Sequence, residues 1–323
     1  MKKIAILDDY QGVALSLGPW EKLKGRAEVT VFRDHLDDTK ALIARLSGFH
    51  VLVANRERTL LGAEVLAALP HLELIVTSGK RNAAIDVGAA SARGATVCGT
   101  DTLGYPTAEL TWAMILGFAR HLPAEAAAMR AGAWQTTVGM GLNGKVLGIV
   151  GFGRVGTDVG RIGAAFGMKV LGWSRSLTEE RAAAAGASSA SLETILREAD
   201  VVSVHLPLST ETRHLISTRE LSMMKPGALL VNTARGPIID EDALIEALKS
   251  NKIRGAALDV FNHEPLAASH PLRKLNNVLL TPHLGYVTEE NYRMQFAQIV
   301  ENIDAWLNGK PVRVITSSKD SHR

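Results

Sequence analysis

The stretch Leu142 to Ser176, LNGKVLGIVGFGRVGTDVGRIGAAFGMKVLGWSRS, decides the fold. Its first apolar run, Val146 to Val150, has the length and aliphatic content of a buried strand. Gly151, Gly153 and Gly156 follow at once in the spacing Gly-x-Gly-x-x-Gly. Beyond them Val155, Val159, Ile162 and Phe166 recur on one face at helical period, and a second apolar run leads into Ser174. Each glycine has a physical task in such a strand–turn–helix–strand unit. The first permits a tight turn, the second lets a diphosphate reach the backbone, and the third lets helix and strand pack closely. The helix N-terminus adds unpaired N–H groups and partial positive charge, with Arg154 and Val155 at the turn itself.

Upstream, short apolar runs at Lys3–Leu7, Val29–Phe32, Val51–Ala54, Leu74–Thr77 and Thr96–Cys98 alternate with helical patterns such as Thr39–Leu46 and Ala63–Leu69. Downstream, strand-like runs recur at Val201–His205, Leu229–Asn232, Ala256–Val260 and Val278–Thr281, with a capped helix expected over Asp240–Leu248. The rhythm implies an α/β protein of two doubly wound parallel-sheet domains, with short joins that would form a hinge. The segment around Ala108 to Phe118 is apolar nearly all round, so it is expected between domains or between subunits. The last helix, Glu289–Leu307, has no strand after it that could join the second sheet.

Composition sets the outer bounds. At 323 residues the chain is about twice a typical domain. The formal charge is 36 − 33 = +3, with basic residues scattered rather than striped, so the pI near 9.0 does not argue for nucleic acid. Cys98 is the only cysteine and reads as a buried, inert thiol. The amino terminus, MKKIAILDDY, is too quickly acidic for a secretory signal, and no run reaches the ~18 apolar residues of a membrane span. A reducing cytoplasm, no membrane and no nucleic acid are the expectations, and no metal site is called for.

The end of the second strand bears on which nucleotide is bound. NAD usually meets an acidic side chain there; here the position falls on Ser174, followed by Arg175 and Ser176, with no carboxylate before Glu179. A guanidinium and hydroxyls suit a 2′-phosphate, which favours NADP over NAD.

Three later motifs carry polar groups just past strands. VNTARGPIID holds Arg235, LDVFNHEP holds Asp259 and Glu264, and LLTPHLGY holds His283. The carboxyl ends of successive parallel strands converge on one crevice. Together with VHLPLSTETRHLI and MMKPGALLVNTARG, in this order, they make the chain resemble the D-isomer-specific 2-hydroxy acid dehydrogenases over nearly its whole length. That family includes glyoxylate, hydroxypyruvate and phosphoglycerate dehydrogenases. The resemblance implies a Rossmann cofactor domain, 103–288, inserted into a flavodoxin-like substrate domain made of 1–102 and 289–323. It implies that Arg235 binds substrate, that His283 donates the proton and that Glu264 is its partner. Arg154, Val155, Thr233, Ala234 and Asp259 match positions that touch the dinucleotide, and Leu206 and Pro207 the segment along its adenine and ribose. It also implies a homodimer joined through the apolar helix.

The chemistry suits these residue types. Hydride arriving at a keto carbon leaves negative charge on oxygen, so a proton donor must stand there, and histidine serves both directions near neutrality. A carboxylate on its far nitrogen fixes the tautomer and stabilises the imidazolium. An arginine can grip the substrate carboxylate and polarise the ketone. His263, adjoining Glu264, points the other way along an extended chain, and His205 reads as structural.

The first domain departs from the family pattern. In TSGKRNAAID, Arg81 stands where relatives have a second glycine and Ala83 where they have aspartate. Ser78, Gly79 and Lys80 remain the expected carboxylate cradle, with Arg81, Asn82, Arg56 and Arg58 nearby. Those side chains either select a more anionic substrate or point into solvent. The expected activity is an NAD(P)-dependent D-2-hydroxy acid dehydrogenase of the glyoxylate or hydroxypyruvate reductase kind. The alternatives are a 3-phosphoglycerate dehydrogenase-like enzyme and a nucleotide-sensing co-repressor scaffold.

Overall fold

The structure, a computed structural model, describes residues 1–316. It divides into two compact units, Met1–Leu103 with the segment from Val287 onward, and Gly104–Tyr286. Residues 317–323 of the expected 289–323 segment lie outside the described residues.

The first unit is built on β1 (Lys2–Ile6), β2 (Ala27–Val31), β3 (Val51–Ala54), β4 (Leu74–Thr77) and β5 (Thr96–Cys98). They run in the order β2-β1-β3-β4-β5, every pair parallel, which is the flavodoxin-like winding. β3 and β4 are buried at every position, as strands covered on both faces must be. One cover is the helix Thr39–Leu46, capped by Asp38 and burying Leu42 and Leu46. Another is the helix Glu289–Leu307, which buries Phe296, Ile299 and Ile303 and lies against β4. The last helix thus completes the unit formed by the first third of the chain.

The second unit contains β6 (Val146–Val150), β7 (Lys169–Trp173), β8 (Ser188–Ser189), β9 (Val201–Val204), β10 (Leu229–Asn232), β11 (Gly255–Leu258) and β12 (Val278–Leu280). The order is β12-β11-β10-β9-β6-β7-β8, again all parallel. Reversal of the winding between β6 and β9 creates the switch point at which such sheets bind ligands. The helix expected over Asp240–Leu248 runs Glu241–Lys249, with Asp240 as its N-cap.

The apolar helix, Pro106–Ala119, buries much of its surface within its own unit. It lies on β10, β11 and β12 beside the helix Arg154–Ala165. Trp112 donates its indole N–H to the Val159 carbonyl (3.1 Å) and stacks on Phe166 with centroids 4.8 Å apart. Sheet below and helix beside cover much of its apolar surface, while Leu110, Leu116 and Phe118 stay partly exposed. Among the described residues no helix is long and apolar enough to cross a membrane.

Candidate active site

The glycine turn meets the steric demands placed on it. Gly151 has φ +107, and a Cβ there would come within 2.6–2.9 Å of the His205–Leu206 backbone. A Cβ at Gly156 would sit 2.3 Å from the Gly151 carbonyl oxygen, so helix and strand pack too closely for any side chain. Gly153 differs: no protein atom lies within 4 Å of its missing Cβ. Space kept clear on an exposed glycine, at the N-terminus of a 12-residue helix, suits a diphosphate against the backbone. The residues therefore fit a dinucleotide.

Gly151, Gly153, Ser174, Arg175, Ser176, Leu206 and Pro207 line one pocket at the carboxyl ends of β6, β7 and β9. Gly156 lies buried behind the turn, and the Arg154 guanidinium lies beside Gly104. Thr233 is buried after β10, bonded through its hydroxyl to Thr111 Oγ1 at 2.8 Å, and the Ala234 amide donates to Asn232 Oδ1 at 3.0 Å. Sequence reasoning did not anticipate two charged residues of this pocket, Arg181 and Glu211. Glu211 comes 211 − 174 = 37 residues after Ser174, too far for any local signal to join them. Glu179, the nearest acid downstream of the strand, instead accepts the Ser189 amide at 3.1 Å.

On the other side of the switch point, Arg235, Asp259 and His283 follow the adjacent strands β10, β11 and β12. The registers Asn232↔Leu258 and Leu258↔Leu280 bring these loops to one end of the sheet. His283 Nδ1 lies 2.6 Å from Glu264 Oε2, and Glu264 Oε1 accepts the Phe261 amide at 2.9 Å. Both side chains are only partly covered, 18% and 27% exposed, so the pair is held yet reachable. Among the described residues nothing bonds His283 Nε2.

His283 sits in the left-handed region, φ +53, which is costly for a residue with a Cβ. Asp259 supplies the restraint. Its carbonyl takes the His283 amide (2.8 Å). Its fully buried carboxylate accepts from Thr281 Oγ1 (2.6 Å), the Leu284 amide (2.7 Å) and the Gly285 amide (2.9 Å). Burial raises the pKa of the Asp259 carboxyl, and these donors oppose the shift. Asp259 was expected to touch the dinucleotide; its visible work is to fix the turn that presents His283.

Arg235 is half-buried and donates from Nη1 to the Ala234 carbonyl at 2.6 Å. The next residue must be glycine, because a Cβ at Gly236 would lie 2.1 Å from the Phe261 carbonyl carbon. The loops bearing Arg235 and Glu264 therefore touch backbone to backbone. His205 bonds Ser203 Oγ at 2.9 Å, and burial pushes its pKa down to about 4, so it stays neutral and structural. His263 is exposed.

In the first unit the Ser78 and Gly79 amides are already engaged, with the Ala54 carbonyl (3.1 Å) and Thr100 Oγ1 (2.9 Å). Lys80 is exposed and paired with Asp101 at 2.9 Å, and Arg81 is exposed. Arg56 lies close, its amide on Ser78 Oγ at 2.8 Å, while Arg58 donates to the Asp8 carbonyl at 2.6 Å and covers the Tyr10 ring. Cys98 is buried and burial pushes its thiol up to about 11, which makes it inert near neutrality.

Residues 112–285 match the model of the D-isomer specific 2-hydroxyacid dehydrogenase NAD-binding domain, more than half of the chain. The chain belongs to this family. It is 42% identical over 257 residues to a glyoxylate reductase of Aeropyrum pernix, covering 76% of this chain and 77% of that one. It is 37% identical over 273 residues to a D-3-phosphoglycerate dehydrogenase of Methanocaldococcus jannaschii, covering 83% of this chain but 52% of the relative. Its fold superposes on a phosphoglycerate oxidoreductase of Vibrio cholerae O395 with a TM-score of 0.92, at 39% identity, over 96% and 100% of the two chains. As a family member the protein is an oxidoreductase acting on the CH–OH group of 2-hydroxy acids, with a Rossmann-type nucleotide-binding unit.

Proposed function

We propose that this dehydrogenase reduces small 2-keto acids of the glyoxylate and hydroxypyruvate kind to D-2-hydroxy acids, and that it prefers NADPH. The observation that carries the reaction is the His283–Glu264 pair, 2.6 Å across Nδ1 with Nε2 open. It stands at the sheet end that also bears Arg235. The nicotinamide supplies the hydride when bound. His283 gives a proton from Nε2 to the substrate oxygen as charge builds there, and Glu264 holds Nδ1 protonated and balances the imidazolium. Arg235 grips the substrate carboxylate and polarises the carbonyl. Gly151, Gly153 and Gly156, with the Arg154 and Val155 amides, hold the diphosphate, and Leu206 and Pro207 flank the adenosine. Thr233, Ala234 and Asp259 face the nicotinamide end, Asp259 through the turn it fixes.

The 2′-phosphate falls to Ser174, Arg175 and Ser176, since the pocket takes no carboxylate from the end of β7. We assign substrate binding to the unit containing Ser78, Gly79 and Lys80. With the first two amides engaged, the Lys80 amide is the group left for that task. A homodimer in a reducing cytoplasm fits this reading. Its contact surface would take in the apolar helix and the segment that follows, where Leu122, Met129, Trp134 and Val138 stand 55–92% exposed. Light scattering of wild type against a Trp134→Asp variant tests that surface.

Oxidation of NADPH and NADH followed with glyoxylate, hydroxypyruvate and phosphohydroxypyruvate tests the whole reading. Faster turnover of glyoxylate or hydroxypyruvate with NADPH supports it. A clear preference for the phosphorylated acid would support the second reading, a 3-phosphoglycerate dehydrogenase, which the 37% identity to such a relative keeps in play. No turnover with any pair would overturn the enzymatic proposal.

A further inference from the structure

The pocket that takes the adenosine end of the dinucleotide carries three charges, Arg175, Arg181 and Glu211. Arg181 belongs to the short helix Glu179–Ala183, and it reaches back to the turn after β7, donating from Nη1 to the Ser176 carbonyl at 2.8 Å. That bond places a second guanidinium beside the Ser174–Ser176 backbone. Glu211 enters from the loop after β9. The Ser209 hydroxyl donates to its Oε2 at 2.6 Å, which keeps the carboxyl ionised below its ordinary range, and the charge of Arg175 acts in the same direction.

NAD and NADP differ in one phosphate at the adenosine 2′ position. An acid from β7 would accept the ribose 2′-hydroxyl, but no such acid lines this pocket; its carboxylate arrives from the other loop and lines the same pocket as Arg175. A 2′-phosphate in this pocket would meet attraction from Arg175 and Arg181 and repulsion from the Glu211 carboxylate. An unphosphorylated ribose meets none of these charges in full.

Resting on the NADP preference proposed above, we infer that Glu211 and Arg181 set the degree of discrimination: Arg181 is a second cation for the 2′-phosphate and Glu211 a carboxylate that limits how strongly it is favoured. The pocket is tuned by opposed charges from two loops rather than by one residue at a strand end. All three side chains are exposed, so their substitution leaves the core untouched.

The test is calorimetric binding of adenosine 2′,5′-bisphosphate and adenosine 5′-monophosphate, two probes that differ only in the phosphate at issue. The readout is the ratio of their dissociation constants, taken at low ionic strength where exposed charges are least screened. Glu211→Gln is expected to raise selectivity for the bisphosphate about three- to ten-fold, and Arg181→Gln to lower it by about the same factor. Binding of the monophosphate should stay within about two-fold in both, since it makes neither contact. Ratios unchanged in both variants, or equal shifts for both probes, overturn the inference.

Arg175→Gln separates this from the reading beneath it. If Arg175→Gln alone collapses the ratio, the NADP reading stands and the inference fails. If the wild-type protein does not favour the bisphosphate, the NADP reading fails, while a rise in Glu211→Gln still upholds the role of Glu211.

Discussion

Each unit sets a histidine against a carboxylate at the carboxyl end of a strand, and the two pairs are built differently. After β12, His283 bonds Glu264 through Nδ1 at 2.6 Å, and among the described residues nothing bonds its Nε2. After β1 and β2, His35 is used up at both nitrogens, with Nδ1 3.0 Å from Asp8 and Nε2 3.0 Å from Asp37. Asp8 is 2% exposed and also accepts Thr59 Oγ1. Both sites even spend a left-handed residue, φ +55 at Asp8 and +53 at His283. The backbone outlay and the residue types are alike, and one open nitrogen is the difference. A histidine with both nitrogens bonded ties loops together; one with a free nitrogen can pass a proton on.

The largest way to break this comparison is to exchange the two histidines in turn. His283→Asn is expected to lower kcat at least ~100-fold, about 3 kcal/mol in the barrier, with nucleotide affinity retained. His35→Asn should leave kcat within about two-fold, because both ring nitrogens are spent on Asp8 and Asp37 and neither is left to pass a proton. Steady-state rates with calorimetric nucleotide binding check both. Equal losses in the two variants would erase the distinction.

A smaller effect is expected from the carboxylate side. In Glu264→Gln the amide oxygen can still accept from Nδ1–H and hold the tautomer, but it offers no charge to the imidazolium. A loss of about ten-fold in kcat with a nearly unchanged KM is the expected result. A kcat within about two-fold of wild type would mean that orientation, not charge, is Glu264's contribution.

The same contrast of open against filled positions sorts the glycines. Gly156→Ala places a methyl 2.3 Å from the Gly151 carbonyl oxygen and should destabilise the protein by about 1–3 kcal/mol in thermal melts. Gly153→Ala meets no protein atom within 4 Å, so the melting temperature should hold while the nucleotide dissociation constant rises about five-fold. Loss of stability at Gly153 would show that its open side is not kept for a ligand.

Much of this was legible in the sequence, and the exceptions share a cause. β3, β4, β5, β6 and β10 match their expected bounds because strands buried on both faces appear as unbroken apolar runs. Other ends slipped by a residue or two, as at β1, read as Lys3–Leu7 and found at Lys2–Ile6. β8, the pair Ser188–Ser189 at the sheet edge, has no apolar signal. Periodicity showed that the helix Pro106–Ala119 must be buried but not what buries it. At the site, motifs pointed to Arg235, Glu264 and His283, each next to a strand. The pairing of Lys80 with Asp101 and the meeting of Glu211 and Arg175 in one pocket join distant segments, and only folding brings those together.

The smallest expected effect is a pH dependence in the closed pair. Bonding to Asp8 raises the pKa of His35 above its ordinary 6.5, against the desolvation that opposes it, with the Asp8 and Asp37 charges adding to the rise. Protonated His35 is therefore favoured in the folded state. Its contribution is complete below pH 6.5, where the unfolded histidine is also protonated, and is lost as pH rises through the folded value. His35→Asn should thus lower stability by about 1–2 kcal/mol at pH 6, because the buried Asp8 loses its charged donor while Thr59 remains on it. The gap in melting temperature between wild type and variant, a few degrees at pH 6, should narrow steadily toward pH 9. A gap that widens with pH would mean that neutral His35 holds Asp8 better than the charged form, and the pair would then be closed by geometry rather than by charge.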